Sequence, residues 1–188
     1  MLIYYHENMT FQEKLKVETK INHDATEQHL FNELLLKGEL DDQKYYLYLK
    51  NIVTVYDYIE KRLGLKGELI RSSLIYNDIM AYCKNGCHFS CDDYFVHEWV
   101  ETIAQKSDTA LLSELYVEWL KDVYGGQIIS KKVKYNSHLK FNDTKSTALA
   151  VRGLLKIAPE DENNFIFEVN RTYVNHYKLM DDIMYKGK

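Results

Sequence analysis

Proline is almost absent from this chain: Pro159 is the only one among 188 residues, and glycine occurs 8 times. So few breakers exclude a fold of many short strands joined by tight turns and favour long helices. Basic charge is not in excess either. Lys and Arg total 24 against 28 Asp and Glu, a net charge of −4, which excludes a general nucleic-acid binder. No apolar run approaches the roughly 20 residues that a membrane span requires. The opening MLIYYHENMTFQEK lacks a basic segment followed by an apolar core, so no secretory leader and no membrane anchor are expected. Cysteine is scarce and odd in number, 3 in all, which fits a reducing compartment better than a disulfide scaffold. A cytoplasmic protein is predicted.

What is present is an ordinary globular balance, 46% hydrophobic and 28% charged, enough for one domain over 1–188 with a substantial core. Sixteen tyrosines stand mostly singly on helical faces, where an amphipathic ring suits a core edge. Apolar spacing predicts helices over 9–33, from Asp41 or Asp42 to 63, 68–84, 92–105, 109–133, 144–157 and 160–184. Thr10 and Glu13 have the spacing of a capping box. KGEL at 37–40 and GLKG at 64–67 are breaks, and 136–143 is a connection. The fold class is all-α: a single-domain helical bundle.

Two stretches carry chemistry. Lys16, Lys20, His23 and Glu27 follow at spacings of 4, 3 and 4, which places them in a narrow arc of one helix face. A glutamate one turn from a histidine can fix the ring tautomer and leave the other nitrogen for a metal. Lysines on the same face can meet carboxylates of a ligand. A solvated, charged helix face is the plain alternative. The second stretch, WLKDVYGGQIISKK at 119–132, sets Gly125 and Gly126 inside a helix. Each interior glycine costs roughly 1 kcal/mol relative to alanine. The pair implies a bend, a flat ligand lying on exposed backbone, or a close crossing with another part of the chain.

Taken together, LKVETKINHDATEQHLFNELLLKGEL and YVEWLKDVYGGQIISKK resemble the heme oxygenase family. Its first-helix pattern, T-K-x-x-H with E four residues on and then K-G, is matched by Thr19, Lys20, His23, Glu27, Lys37 and Gly38. Its distal pattern, Y-L-G-D-x-S-G-G-Q, is matched by Trp119–Gln127, with Asp122, Gly125, Gly126 and Gln127 in place. IRSSLIYNDI at 70–79 resembles the family's R-x-x-x-L-x-x-D-L segment, and Asn175 an asparagine of its last helix.

The resemblance implies that haem, substrate and cofactor at once, lies between the first, proximal helix and a glycine-bent distal helix. His23 would be the axial iron ligand, with Glu27 behind it. Lys16, Lys20, Tyr116 and Arg152 would hold the propionates. Gly125 and Gly126 would let backbone lie on the ring. Asp122 and Tyr56 would be the catalytic pair that organises distal water, so that activated O₂ attacks the porphyrin's own meso carbon. The products would be biliverdin, CO and ferrous iron. No G-x-G-x-x-G or other nucleotide motif is visible, so the electrons would come from a separate ferredoxin, flavodoxin or flavoprotein reductase. Lys131, Lys132, Lys134 and the first-helix lysines form a candidate docking face for it.

Two residues depart from the family pattern. Lys121 stands where the family has a glycine, and Glu118 where it often has an arginine. The lysine ammonium is expected to reach the pocket rim, with the helix lifted or rotated at that end. These departures also admit a non-enzymatic member that binds haem or a bilin. A third cluster, CKNGCHFSC, puts Cys83, Cys87, His88 and Cys91 within nine residues. Its C-x3-C-x3-C spacing matches no common structural zinc pattern, and the residues are either a metal site or free thiols.

Overall fold

The computed structural model describes residues 9–87 and 94–185. Among them are nine α-helices and no strand, as the scarcity of breakers requires. They are α1 (Phe11–Glu27), α2 (Leu30–Lys37), α3 (Asp42–Leu63), α4 (Ser72–Lys84), α5 (Tyr94–Ala104), α6 (Asp108–Tyr124), α7 (Gly126–Ile129), α8 (Thr144–Leu154) and α9 (Glu162–Tyr185).

Local chemistry sets the helix ends. Thr10 N donates to Glu13 Oε2 at 2.8 Å while Glu13 N donates to Thr10 Oγ1 at 3.3 Å, so the capping box opens α1. The single helix expected over 9–33 is two helices. Buried His29 separates them: its Nδ1 accepts from Phe31 N at 3.0 Å, and its Nε2 lies 3.0 Å from Asp181 Oδ1 on α9. One side chain thus caps α2 and ties the bend to another helix. Gly38 and Gly64 close α2 and α3 at φ 77° and 61°, where a side chain would be strained. The third predicted helix starts later than expected, at Ser72, because Gly67–Leu69 forms a separate 3-10 turn. Glu60 of α3 then accepts from Arg71 N at 2.6 Å and Ser72 N at 2.8 Å and caps α4.

α3 runs through the core. Leu49, Ile52, Val55 and Ile59 pack among Ile75 of α4, Trp99 and Ile103 of α5, and Leu111, Leu115 and Trp119 of α6. A second cluster of Leu15, Val117, Phe165, Ile166 and Val169 joins α1, α6 and α9. Each such side chain contributes about 1.5–3 kcal/mol on burial, enough together to seat the otherwise charged α1. α9 is therefore the shared wall between α1 and α6. No helix among the described residues is long and apolar enough to cross a membrane.

Candidate functional site

The rotation of α1 is fixed from its inner side. Thr19 is buried, Asn22 Nδ2 donates to Asn170 Oδ1 of α9 at 2.7 Å, and Thr26 Oγ1 bonds Asn22 O at 2.7 Å and Tyr173 O at 3.4 Å. The adjacent arc, about 100° round the helix, presents Lys16, Lys20 and Glu27 outward, with His23 half-buried at its inner edge. The His23 side chain is 43% exposed, and its ring stands edge-on to Tyr173 of α9 at 5.5 Å. His23 Nε2 is 3.6 Å from Glu27 Oε1, and Nδ1 is 3.4 Å from Asp24 Oδ1. Asp24, which the sequence pattern did not single out, also accepts from Lys20 Nζ at 2.6 Å, and that bond lowers its carboxyl below the usual range. Among the described residues, His23, Asp24 and Glu27 are the group whose potential ligand atoms lie within 4.8 Å of one another.

The other half is built on α6. Glu114, Glu118 and Asp122 fall on one line of the helix and all are buried. Tyr56 of α3 donates to Asp122 Oδ2 at 2.8 Å and to Glu118 O at 3.1 Å, and its ring stacks on Trp119 at 4.6 Å. Asp122 and Tyr56, expected as a pair, are thus in contact. Lys121 corrects the expectation of a rim position. Its ammonium turns inward, donating to Tyr48 OH at 2.8 Å and Glu118 Oε2 at 2.9 Å, and lies 3.9 Å from Asp122 Oδ1. The reason is a buried carboxylate one turn back that needs a cation. The second departure therefore answers the first. Glu118 Oε1 is held by His176 Nε2 of α9.

Burial alone would raise the Glu118 carboxyl, but the charges of His176 and Lys121 outweigh it and bring it down to about 2. Burial would lower the Lys121 ammonium, but Glu118, Tyr48 and Asp122 outweigh it and raise it. Burial pushes Tyr48 up to about 12 and Tyr56 well above the usual phenol range.

The helix is interrupted at the double glycine. α6 ends at Tyr124, Gly125 N donates to Lys121 O at only 2.7 Å, and α7 restarts at Gly126. A β-carbon at Gly125 would lie 2.9 Å from Lys121 O, and one at Gly126 would lie 3.1 Å from Leu139 Cδ2. A side chain is thus crowded at Gly125 by the Lys121 carbonyl and at Gly126 by the following loop. That loop is pinned by the 70–79 segment. Asp78 accepts from Ser137 N at 3.0 Å and His138 N at 3.1 Å and lies 2.6 Å from His138 Nδ1. Arg71 donates to His138 O and Lys140 O. Arg71 and Asp78 thus hold the loop whose Leu139 lies against Gly126.

Tyr116 packs edge-on to Phe165 at 6.0 Å, and burial raises its phenol. Arg152 is exposed at the end of α8, 5.8 Å over the Tyr124 ring, and its charge reaches Tyr116. Asn175 lies elsewhere, lining with Asn22 and Thr102 a cleft of about 340 Å³ between α1, α5 and α9 that contains none of the other expected ligand-holding residues. The neighbouring His176, not Asn175, faces the α6 carboxylates. Sequence reading missed His176 and Tyr48, since their partners are 58 and 73 residues away. Of the cysteine cluster, Cys83 Sγ bonds Tyr46 OH at 3.4 Å and Cys87 is buried, while His88 and Cys91 lie outside the described residues.

The chemistry of the donor set fits haem. A half-exposed imidazole has carboxylates beside both ring nitrogens, and exposed Lys16 and Lys20 share its face. Leu30 of α2, Tyr124 of α6 and Ile128 of α7 are exposed apolar side chains. Comparison with known proteins agrees. The family profile described as heme oxygenase matches residues 9–178. No curated protein matches the chain. Among solved structures, heme oxygenase-1 from the cyanobacterium Synechocystis sp. PCC6803, in complex with heme, is 19% identical with a TM-score of 0.76, covering 93% of this chain and 92% of that one. The heme oxygenase from Leptospira interrogans is 19% identical with a TM-score of 0.78, covering 93% and 100%. Heme oxygenase-2 from Synechocystis sp. PCC 6803, in complex with heme and NO, is 17% identical with a TM-score of 0.77, covering 93% and 85%. The chain belongs to the heme oxygenase family.

Proposed function

We propose that this protein binds haem through His23 and degrades it with O₂ to biliverdin, CO and ferrous iron. The observation that carries the reading is His23: a half-exposed imidazole braced by Tyr173 and flanked by Asp24 and Glu27, in a chain of this family. Bound haem supplies the iron that activates O₂ and the meso carbon that is oxidised.

The protein's own residues orient and protonate. Asp24 lies beside Nδ1 and Glu27 beside Nε2, so the carboxylate at the nitrogen not used for ligation holds the ring and raises the basicity of the other nitrogen. Lys16, Lys20 and Arg152, with Tyr116, meet the two propionates and fix the ring's rotation, which selects the meso position. Asp122, held by Tyr56 on a carboxylate oxygen, orders water and passes a proton through it. A carboxylate acting through water is a mild donor, and it favours attack on the ring over cleavage of the O–O bond. Because the Lys121 ammonium is bound to Glu118 and Tyr48, it is withdrawn from the role of a strong distal acid, which favours turnover over mere haem or bilin carriage. Electrons come from a separate ferredoxin, flavodoxin or flavoprotein reductase, and the exposed stretch Lys131–Lys134 is the docking face. The site of action is the cytoplasm.

Hemin titration tests the first step: a histidine-ligated Soret band with one equivalent supports it. Adding a reductase and O₂ then tests the second, with biliverdin resolved by chromatography and CO trapped on ferrous myoglobin. No Soret change removes the haem reading, and a Soret band without biliverdin leaves the carrier.

A further inference from the structure

Glu114, Glu118 and Asp122 lie four residues apart along one buried line of α6. Carboxylates buried in series repel, and each needs a cation or several donors. Glu114 is matched by Lys106 Nζ at 2.7 Å, which also holds Glu168 at 2.6 Å. Asp122 receives Tyr56 and has the Lys121 ammonium 3.9 Å away. Glu118, between them, takes Lys121 on one oxygen and His176 on the other.

His176 has no part in the reading above. It is 2% exposed, and its ring is enclosed by Trp99 of α5 at 5.2 Å and Tyr48 of α3 at 6.4 Å. The polar group in contact with it is Glu118, which lies between Glu114 and Asp122 on α6 and also holds Lys121. Tyr48 faces it from α3, and Glu168 and Thr172 precede it on α9. Glu118 and Asp122 bring two negative charges, and Lys121 offsets one. The imidazole is placed to offset the second, because its nitrogen already contacts the carboxylate.

We infer that His176 is a positioning residue for the distal side: as the cation that completes the Glu118–Lys121–Asp122 cluster, it keeps Lys121 on Glu118 and Asp122 on Tyr56. The inference rests on the proposed role of Asp122 and adds its charge partner. Without the imidazolium, one ammonium faces two buried carboxylates. Lys121 is then drawn towards Asp122, and the distal side becomes one charge more negative.

Two measurements test this. The first uses the protein without haem. Nitrogen-15 NMR of the histidine rings should find both nitrogens of His176 protonated at neutral pH, with a downfield Nε2 proton that disappears in Glu118→Gln. A ring protonated on one nitrogen overturns the inference, whatever haem does. The second uses the hemin-loaded protein and follows the acid–alkaline absorption change of the ferric haem. His176→Gln keeps a donor and the fold but removes the charge, so the midpoint should rise by about half a pH unit or more. An unmoved midpoint in His176→Gln with hemin bound also overturns the inference. Failure of hemin to bind sinks the haem reading instead and leaves the NMR result to decide on the cation.

Discussion

Lys121 and Glu118, three residues apart on α6, are bonded at 2.9 Å, and Glu118 is wholly buried. Each departs from the family pattern, and each supplies what the other lacks. A lysine alone would push a charge into the core, and a glutamate alone would leave one unmatched. The pair should therefore behave as a unit. Glu118→Gln is expected to cost about 3 kcal/mol in urea unfolding, because Lys121 and His176 lose the buried carboxylate that both contact. Lys121→Met should cost less, since its side chain is 31% exposed. The double variant should be more stable than the sum of the two losses predicts, by about 1 kcal/mol or more. Simple additivity would mean that the bond contributes nothing.

Acid should weaken the fold through the same carboxylate. Glu118 falls to about 2 in the folded protein, against about 4.3 for an ordinary glutamate. Its folded value is depressed, so its contribution is complete above the unfolded value and is lost as pH falls from about 4.3 towards 2. The shift corresponds to on the order of 3 kcal/mol. Asp78 acts in the same direction. Burial would raise its carboxyl, but His138 and the Ser137 and His138 amides outweigh that and lower it. Urea midpoints across this range should fall as the pH is lowered, and the drop should be smaller in Glu118→Gln. An equal drop in both proteins would place the acid sensitivity elsewhere.

The sequence made the helices and the two site faces legible because both are local patterns. The Thr10–Glu13 cap, the four-residue run from Lys16 to Glu27 and the glycine pair are each read within a turn or two. The break at His29 was not legible, since its cause is Asp181 on a distant helix as much as its own cap. Lys121 was misplaced for a related reason. Its nearest carboxylate is local, but the burial that makes the pair necessary comes from α3 and α9. His176 had no local partner at all. Residues whose role is set by tertiary burial carry no spacing signal.

His23 offers a direct test of the proximal side. Removing its ring takes away the half-exposed imidazole while leaving the Thr19, Asn22 and Thr26 bonds that seat α1. His23→Ala should fold normally but lose the iron–histidine stretch in the resonance Raman spectrum of the ferrous haem complex. Added imidazole should restore a ligated spectrum. An unchanged stretch would assign the ligand to another residue.

Asp122 offers the corresponding test of the distal side. Its carboxylate accepts from Tyr56 at 2.8 Å, and asparagine at this position keeps an oxygen for that bond while removing the charge. Hemin affinity should therefore stay within about threefold of wild type, a difference of less than 1 kcal/mol. Biliverdin formation should fall by about a hundredfold, the scale of a lost proton-transfer group. Haem should still be consumed under reductant and O₂, but without biliverdin, because O–O cleavage replaces attack on the ring. Tyr56→Phe separates charge from placement. It leaves the carboxylate and removes the donor that aims it, so its loss should be smaller than that of Asp122→Asn. If Asp122→Asn makes biliverdin at the wild-type rate, water is ordered by another group. If Tyr56→Phe is the more damaged of the two, the hydroxyl itself is the donor and Asp122 only holds it.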